Sequence, residues 1–442
     1  MQKRKVNLGF VGLGTVGSCT LEILNKNSKI IESKIGTSIE VTHLCDASSS
    51  RLKAGAKRLG SNVKLSSDWQ KLVTDSNVDI VVELIGGRDI AKKVIIESLK
   101  NGKNVVTANK AVLAENWDEI FTLARSKRKV VYFEATVGAG IPIIQALNEG
   151  LASNRINCIA GILNGTTNYI LTRMFKENIS FDIALKQAQK SGFAEVNPHF
   201  DIEGIDTTHK LSILSSIAWS CWVKKEKIYC EGIGNIDRID IKYAYEEFGY
   251  IIKLLGVGRN CGNKLDFYVS PCLIPKDHPF AAVENEYNAI LVDGNASGNI
   301  MFYGKGAGGN PAASAVVSDI MFLAKEFSMG TAGTVPYVNT SNCAALEYLP
   351  ARDRTGKYYL RFSAIDKPGV LSKISGMLAK YNVSIAQVFQ KEPVSRHKKV
   401  VPVLIITHSV KEKAIRDAID EINKLSVIKS KAVLIRIEDL SV

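Results

Sequence analysis

A six-residue glycine pattern near the N-terminus restricts the possible folds more than any other feature. The apolar run from Lys5 to Val11 reads as a short strand, and Gly12-Leu13-Gly14-Thr15-Val16-Gly17 follows it directly and opens a helix through Leu21 and Leu24. Glycines at this spacing between a strand and a helix are a dinucleotide fingerprint. Gly12 permits the tight turn, Gly14 lets a pyrophosphate approach the backbone, and Gly17 lets the helix pack on the strand. The helix N-terminus, with the backbone of Thr15 and Val16, faces the phosphates. A parallel α/β sheet is the expected consequence.

The chain continues in that alternation. A second strand over Ile39 to Cys45 ends at Asp46, where an acid takes the ribose hydroxyls of NAD, while Arg51 and Lys53 just beyond suit the 2′-phosphate of NADP. Both cofactors stay open. The run Val78 to Ile85 is almost continuously apolar, as a strand covered on both faces requires, and it ends in Gly86-Gly87, where backbone can approach a nicotinamide ring. The strand over residues 104–108, which includes Thr107, leads to Asn109-Lys110 at the rim where open α/β sheets bind ligands. After a further strand over Val130 to Glu134, the loop Ala135-Thr136-Val137-Gly138-Ala139-Gly140-Ile141 exposes successive carbonyls beside a carboxylate, a pattern that suits a hard cation.

From about Gly150 the character changes to strands over 157–163, 265–273, 288–292 and 298–303, interleaved with helices. The turn Asn164-Gly165-Thr166-Thr167-Asn168 offers hydroxyls and N–H groups to a carboxylate. Between Ser191 and Leu214, Gly192 precedes Glu195 on a bent loop, and a helix with Glu203 and Asp206 in its first turn follows. Asp206 and Lys210 are four apart and share a face. Set against the apolar residues Leu211, Ile213, Leu214 and Ile217, a lysine must keep a carboxylate partner or lower its pKa, and both suit proton transfer. Gly306-Ala307-Gly308-Gly309 then opens a long helix that returns to the first domain. Residues 348–357 read as a linker, and 358–442 as a βαββαβ module.

Composition removes other classes of function. The net charge is +13, and from Lys357 onward sixteen Lys and Arg face eight Asp and Glu, so the excess lies largely in the last fifth of the chain. Its densest cluster, Arg396-His397-Lys398-Lys399, looks like a hairpin loop and has no helix-turn-helix or stacking aromatics beside it, so no nucleic-acid partner is expected. Eight scattered cysteines indicate neither a zinc ribbon nor a disulfide framework. The absence of a signal region or long apolar run points to the cytoplasm, with no membrane partner.

Together, Gly12 to Gly17, Val106-Thr107-Ala108-Asn109-Lys110, Glu134 to Pro142, Leu163 to Tyr169, Glu195 to Lys210 and Gly306-Ala307-Gly308 resemble homoserine dehydrogenase with a C-terminal ACT domain, over essentially the whole chain. The resemblance implies an α/β fold: a Rossmann-type nucleotide-binding domain over 1–137, completed by a helix at about 307–330 and a return segment over 307–347; an α+β substrate and dimerisation domain over 138–306; and a ferredoxin-like ACT module. It implies NAD(P)-dependent interconversion of L-homoserine and L-aspartate 4-semialdehyde for threonine, methionine and isoleucine synthesis. Lys210 would move the proton with Asp206 beside it, and Lys110 would assist. Glu195, Asp206, Thr166 and Thr167 would hold substrate. Gly12, Gly14, Thr15, Val16, Gly17, Asp46, Arg51, Gly86, Gly87, Thr107, Lys110, Gly192 and Gly308 would line the cofactor site. Glu134 with the carbonyls of Val137, Ala139 and Ile141 would hold a sodium ion, and Asp366 and Gly369 an allosteric L-threonine. A homodimer or higher homo-oligomer is expected. Cys45 and Lys305 stand where many relatives carry Arg and Pro. Aspartate semialdehyde dehydrogenase would need a thiolate with a nearby base, which no cysteine offers. A non-catalytic NAD- and amino-acid-binding sensor is the other alternative.

Overall fold

The structure, a computed structural model, describes residues 5–60, 63–338, 347–390 and 400–440. The cluster Arg396 to Lys399 lies outside them. Six strands, β1 (Val6–Val11), β2 (Ile39–Cys45), β3 (Lys64–Ser66), β4 (Ile80–Glu83), β5 (Asn104–Thr107) and β6 (Val131–Tyr132), pair in the order β3-β2-β1-β4-β5-β6, all parallel. This is the doubly wound order of a dinucleotide-binding sheet, and it reverses between β1 and β4. Val6, Leu8, Phe10, Ile80, Val81 and Val82 are fully buried, as strands covered on both faces demand. One face packs on Leu21 and Leu24 of α1 (Thr15–Lys26) and on Val316, Ile320 and Leu323 of the helix Gly309–Met329. The other face packs on Leu72, Val73 and Val94.

The chain forms two compact units. The first gathers residues up to Ile159, His209–Glu226 and the stretch from Asn288; the second gathers Ala160–Thr208, Lys227–Tyr287 and the C-terminal stretch. In the second, the strands Tyr250–Cys261 and Lys264–Pro275 form a long antiparallel hairpin. Only its second strand is legible in sequence, because Gly256 and Gly258 interrupt the side-chain pattern of the first. The strand Ile428–Ile437 joins the hairpin in parallel, with Cys272 opposite Arg436 and Leu273 opposite Ile437. Thr355–Ile365, Val400–Thr407 and Ile385–Gln390 then continue the sheet antiparallel.

The helices Val370–Lys380 and Glu412–Ile422 cover this βαββαβ module. Ile415, Ala418, Ile419 and Ile422 recur at helical spacing and bury against Leu360, Phe362, Val403 and Ile405. Within residues 348–357, Arg354 is buried and its guanidinium pairs with Asp266. Cys221 is disulfide-bonded, a single bridge rather than a framework, and the thiols of Cys19, Cys45, Cys230, Cys261 and Cys272 are unbridged. Among the described residues no helix is long and apolar enough to cross a membrane.

Candidate active site

The glycine fingerprint lies at the carboxyl end of β1, where each glycine answers a different constraint. Gly12 has φ +100°, and a Cβ there would fall 2.6 Å from the Leu84 carbonyl group. A Cβ on Gly17 would sit 2.2 Å from the Gly12 oxygen, whereas around Gly14 there is open space, as a close-approaching ligand requires. No side chain caps α1 at Gly14, so the N–H groups of its first turn face that space. Gly308 (φ +121°) precedes a glycine whose Cβ would meet Thr15 and Cys19 at 2.9 Å, which seats the return loop against the first turn of α1. Gly17→Ala is expected to weaken dinucleotide binding at least about tenfold and to cost about 1–3 kcal/mol by overpacking; dinucleotide titration together with thermal unfolding checks both.

Asp46 is nearly buried. One of its carboxylate oxygens accepts the Leu13 N–H at 2.7 Å and the other accepts Ser48 N–H at 2.8 Å; the exposed Arg51 guanidinium lies 3.9 Å away. The acid read as a ribose ligand therefore braces the fingerprint turn. At the next rim, Asn109 caps the helix Lys110–Ser126 through Val112 N–H and donates its side-chain amide to the carbonyls of Gly87 (2.8 Å) and Ile85 (3.2 Å). Gly86 and Gly87 are exposed, and Lys110 is half-buried at the head of that helix. Thr107 donates its hydroxyl to the buried Glu83 carboxylate at 2.5 Å.

Lys210 is only 7% exposed, on the helix Ile205–Ala218 that also carries Asp206 one turn earlier. The segment after this helix is fixed to the one headed by Lys110. Trp222 donates its indole N–H to the Ala114 carbonyl at 3.3 Å, and Lys225 pairs with Glu115, whose carboxylate also meets Arg88 at 3.0 Å. Burial alone would raise the Glu115 carboxyl, but Lys225 and Arg88 outweigh it and hold it below the usual range.

In the second unit, Asn164 caps the helix Gly165–Glu177, accepting the Thr167 N–H at 2.8 Å. Its amide donates to Asp201 at 2.7 Å and to Asp206 at 2.8 Å. Asn164, a residue missing from the expected site, thus orients Asp206 and shares the same amide with Asp201. An Asn before a helix is a legible cap, but its second role depends on partners 37 and 42 residues away. The Thr166 hydroxyl donates to the Phe193 carbonyl at 2.6 Å and the Thr167 hydroxyl to the Asn164 carbonyl at 3.1 Å; with the Thr167 N–H taken by the Asn164 cap, the Thr166 amide is the one of the two that can serve as an anion donor. Gly192 (φ +76°) and Glu195 lie on an exposed loop, where Gln189 donates to the Glu195 carbonyl at 3.1 Å.

Behind the turn, the buried Lys253 donates to the Asn168 side chain at 3.1 Å and to the Val283 carbonyl. Asn168 in turn donates to the carbonyls of Val283, Asn285 and Tyr287 at 3.0–3.2 Å. Burial presses the Lys253 ammonium down to about 8, with Glu284 opposing.

Glu134 is buried, and its two carboxylate oxygens accept the N–H groups of Ile144 (2.9 Å) and Gln145 (2.8 Å). Burial raises its pKa to about 7 and also pushes up that of Asp319, which accepts the Glu134 N–H at 2.8 Å. The loop beside it turns through Gly138 (φ +72°) and Ala139 (φ +48°). Among the described residues no three acidic, His or Cys side chains cluster as metal ligands, so a cation here would rest on carbonyl oxygens.

With this geometry in place, comparison with known proteins is decisive. Residues 142–321 match the homoserine dehydrogenase family, residues 12–134 its NAD-binding domain and residues 358–427 the ACT domain. The homoserine dehydrogenase of Neisseria gonorrhoeae is 42% identical over 439 residues, covering 99% of each chain. The chain belongs to the homoserine dehydrogenases. The crystal structure of the homoserine dehydrogenase from Thiobacillus denitrificans superposes with a TM-score of 0.93 at 41% identity over 99% of both chains. A hyperthermophilic archaeal homoserine dehydrogenase mutant in complex with NADPH aligns with 72% of this chain and 97% of its own, at 29% identity and a TM-score of 0.61. The protein is accordingly an oxidoreductase with an NAD(P)-binding domain, a catalytic domain and an ACT domain.

Proposed function

We propose that this homoserine dehydrogenase reduces L-aspartate 4-semialdehyde and oxidises L-homoserine with Lys210 as the proton-transfer group. The supporting observation is the helix Ile205–Ala218, which buries Asp206 and Lys210 one turn apart and is tied through Trp222 and Lys225 to the helix that Lys110 heads. The bound dinucleotide supplies or accepts the hydride. In the reductive direction Lys210 gives its proton to the aldehyde oxygen, and in the oxidative direction it takes the proton back. Asp206, held by Asn164, orients the substrate, and Lys110 adds positive charge where alkoxide character develops. Glu195 takes the substrate ammonium group, and the turn of Thr166 and Thr167 takes its carboxylate through the Thr166 amide, the Thr167 amide being held by the Asn164 cap.

Arg51 stays exposed beside Asp46, where its guanidinium can reach a 2′-phosphate, which supports NADP as the preferred cofactor. Sodium on the carbonyls of Val137, Ala139 and Ile141 fits the buried turn beside Glu134, where positive charge offsets that of the buried carboxylates. Asp366 and Gly369, the latter at φ +84° before the helix Val370–Lys380, are the proposed contact for threonine. A cytoplasmic homo-oligomer serving threonine, methionine and isoleucine synthesis completes the proposal.

The test is consumption of NADPH and NADH, followed in parallel by absorbance, with aspartate semialdehyde in sodium and in potassium buffers, with and without threonine. Turnover that prefers NADPH, is greatest in sodium and falls with threonine is expected. Turnover without any of these dependences would leave the reaction and remove the three refinements. A folded protein that binds nucleotide and turns over nothing would remove the catalytic reading.

A further inference from the structure

Glu83, the last residue of β4, is completely buried at the point where the sheet order reverses. It pairs with Val11 on one side and with Thr107 on the other, so it sits between the strand that leads into the glycine fingerprint and the one that leads to Lys110. One carboxylate oxygen accepts the Ile85 N–H at 2.7 Å and the other accepts the Thr107 hydroxyl at 2.5 Å. The Thr107 oxygen in turn accepts Asn109 N–H at 3.0 Å, and the Asn109 amide holds the carbonyls of Ile85 and Gly87. A closed ring of hydrogen bonds thus fixes the backbone from Ile85 to Gly87, with Glu83 at its root. The same backbone supports the fingerprint, since the missing Cβ of Gly12 faces Leu84 at 2.6 Å.

We infer that Glu83 is a positioning residue for the nicotinamide end of the dinucleotide, and that its carboxylate distinguishes the oxidised ring from the reduced one. The inference rests on the cofactor part of the proposed function. The oxidised ring carries a positive charge and the reduced ring is neutral, so an anion buried behind the Gly86-Gly87 rim favours the oxidised form, with little screening in a medium of low polarity. Burial raises Glu83 to about 7, opposed only by the hydrogen bonds from Thr107 and Ile85. The charged side chains on the neighbouring segments are Asp46 after β2, Arg88 and Asp89 ahead of one helix, and Lys110 at the head of the other; Arg88 is already paired with Glu115. A carboxyl poised in this way ionises when the oxidised cofactor binds and is protonated more readily when the reduced cofactor binds. Affinity for the oxidised form therefore rises with pH relative to the reduced form.

The experiment measures dissociation constants of oxidised and reduced dinucleotide, by fluorescence and calorimetry, from about pH 6 to about pH 9. A one-unit displacement of the Glu83 titration changes the ratio of the two constants about tenfold across that range. Calorimetry in two buffers of different ionisation enthalpy should show a proton released with the oxidised form. Glu83→Gln should make the ratio independent of pH. Thr107→Val, which removes a hydrogen bond that lowers the Glu83 pKa, should move the inflection to higher pH and provides the test if Glu83→Gln does not fold. A wild-type ratio that is flat with pH, a Gln variant that follows the wild-type curve, or an unmoved inflection in Thr107→Val would each overturn the inference. Because the readout is binding, it stands apart from homoserine turnover, whose absence would overturn the proposed reaction alone.

Discussion

Lys210→Met is expected to lower kcat by about 100- to 10,000-fold, the usual contribution of a positioned proton-transfer group, with dinucleotide affinity essentially unchanged. Methionine keeps the length and apolar stem of lysine, and its surroundings suit that stem: Leu211, Ile213 and Leu214 beside it are fully buried and Lys210 itself nearly so. The helix should therefore fold as before, leaving the loss of an ammonium as the change. Asp206 retains its hydrogen bond from Asn164, so its carboxylate stays in place. Steady-state rates at saturating substrate, with nucleotide titration of the same variant, separate the two effects. A variant that keeps near-normal turnover would remove Lys210 from the chemistry, whereas a loss confined to KM would make it a binding residue.

Arg436→Met is expected to destabilise the protein by about 3–5 kcal/mol, a large share of an ordinary domain's stability. The Arg436 guanidinium is buried, donates to Glu412 and to the Tyr358 hydroxyl, and lies over the rings of Tyr268 at 4.8 Å and Tyr358 at 5.3 Å. Glu412 is fully buried. Burial alone would raise its carboxyl, but Arg436 and Arg416 together hold it below the usual glutamate range. Removing Arg436 leaves that carboxylate with Arg416 alone, and the cost is mostly that of a buried charge short of a partner. Because the Glu412 pKa is depressed in the folded state, its contribution is present above the ordinary glutamate pKa and is lost as pH falls through the folded value. The midpoint of urea unfolding measures the effect. A second substitution, Glu412→Gln, should recover part of the loss, and additive losses in the double variant would contradict the pairing.

How much of this was legible in the sequence depended on how local the cause was. The glycine fingerprint could be read because each glycine answers a constraint within a few residues, and the apolar run ahead of Gly86 because a strand covered on both faces leaves no polar alternation. The ACT module could be read because Ile415, Ala418, Ile419 and Ile422 mark one face of a helix. The hairpin strand Tyr250–Cys261 could not, because its glycines remove the side chains that carry the pattern. The same limit applied to the site. Asp206 and Lys210 stand out by their spacing together with the apolar residues around them, but the grip of Asn164 on Asp206, the peg of Lys253 under Asn168 and the ring rooted at Glu83 join residues distant in sequence. Asp46 was legible only in part: an acid at the end of β2 can serve a ribose, a backbone turn or both, and only the fold shows that the amides of Leu13 and Ser48 reach it.

The parallel pairing of Ile428–Ile437 with Lys264–Pro275 bears on how this enzyme can be engineered. Cutting the chain within residues 348–357 would not detach an appendage. It would open the backbone ladder at Cys272 and Leu273, take Arg354 from the buried Asp266, and take Glu438 from Tyr268 and Arg259. A bared strand with stranded polar groups is an invitation to clump. A biotechnologist who wants to alter what the ACT module binds should therefore reshape the turn at Asp366 to Gly369, the proposed threonine contact, one residue at a time and leave the last strand in place.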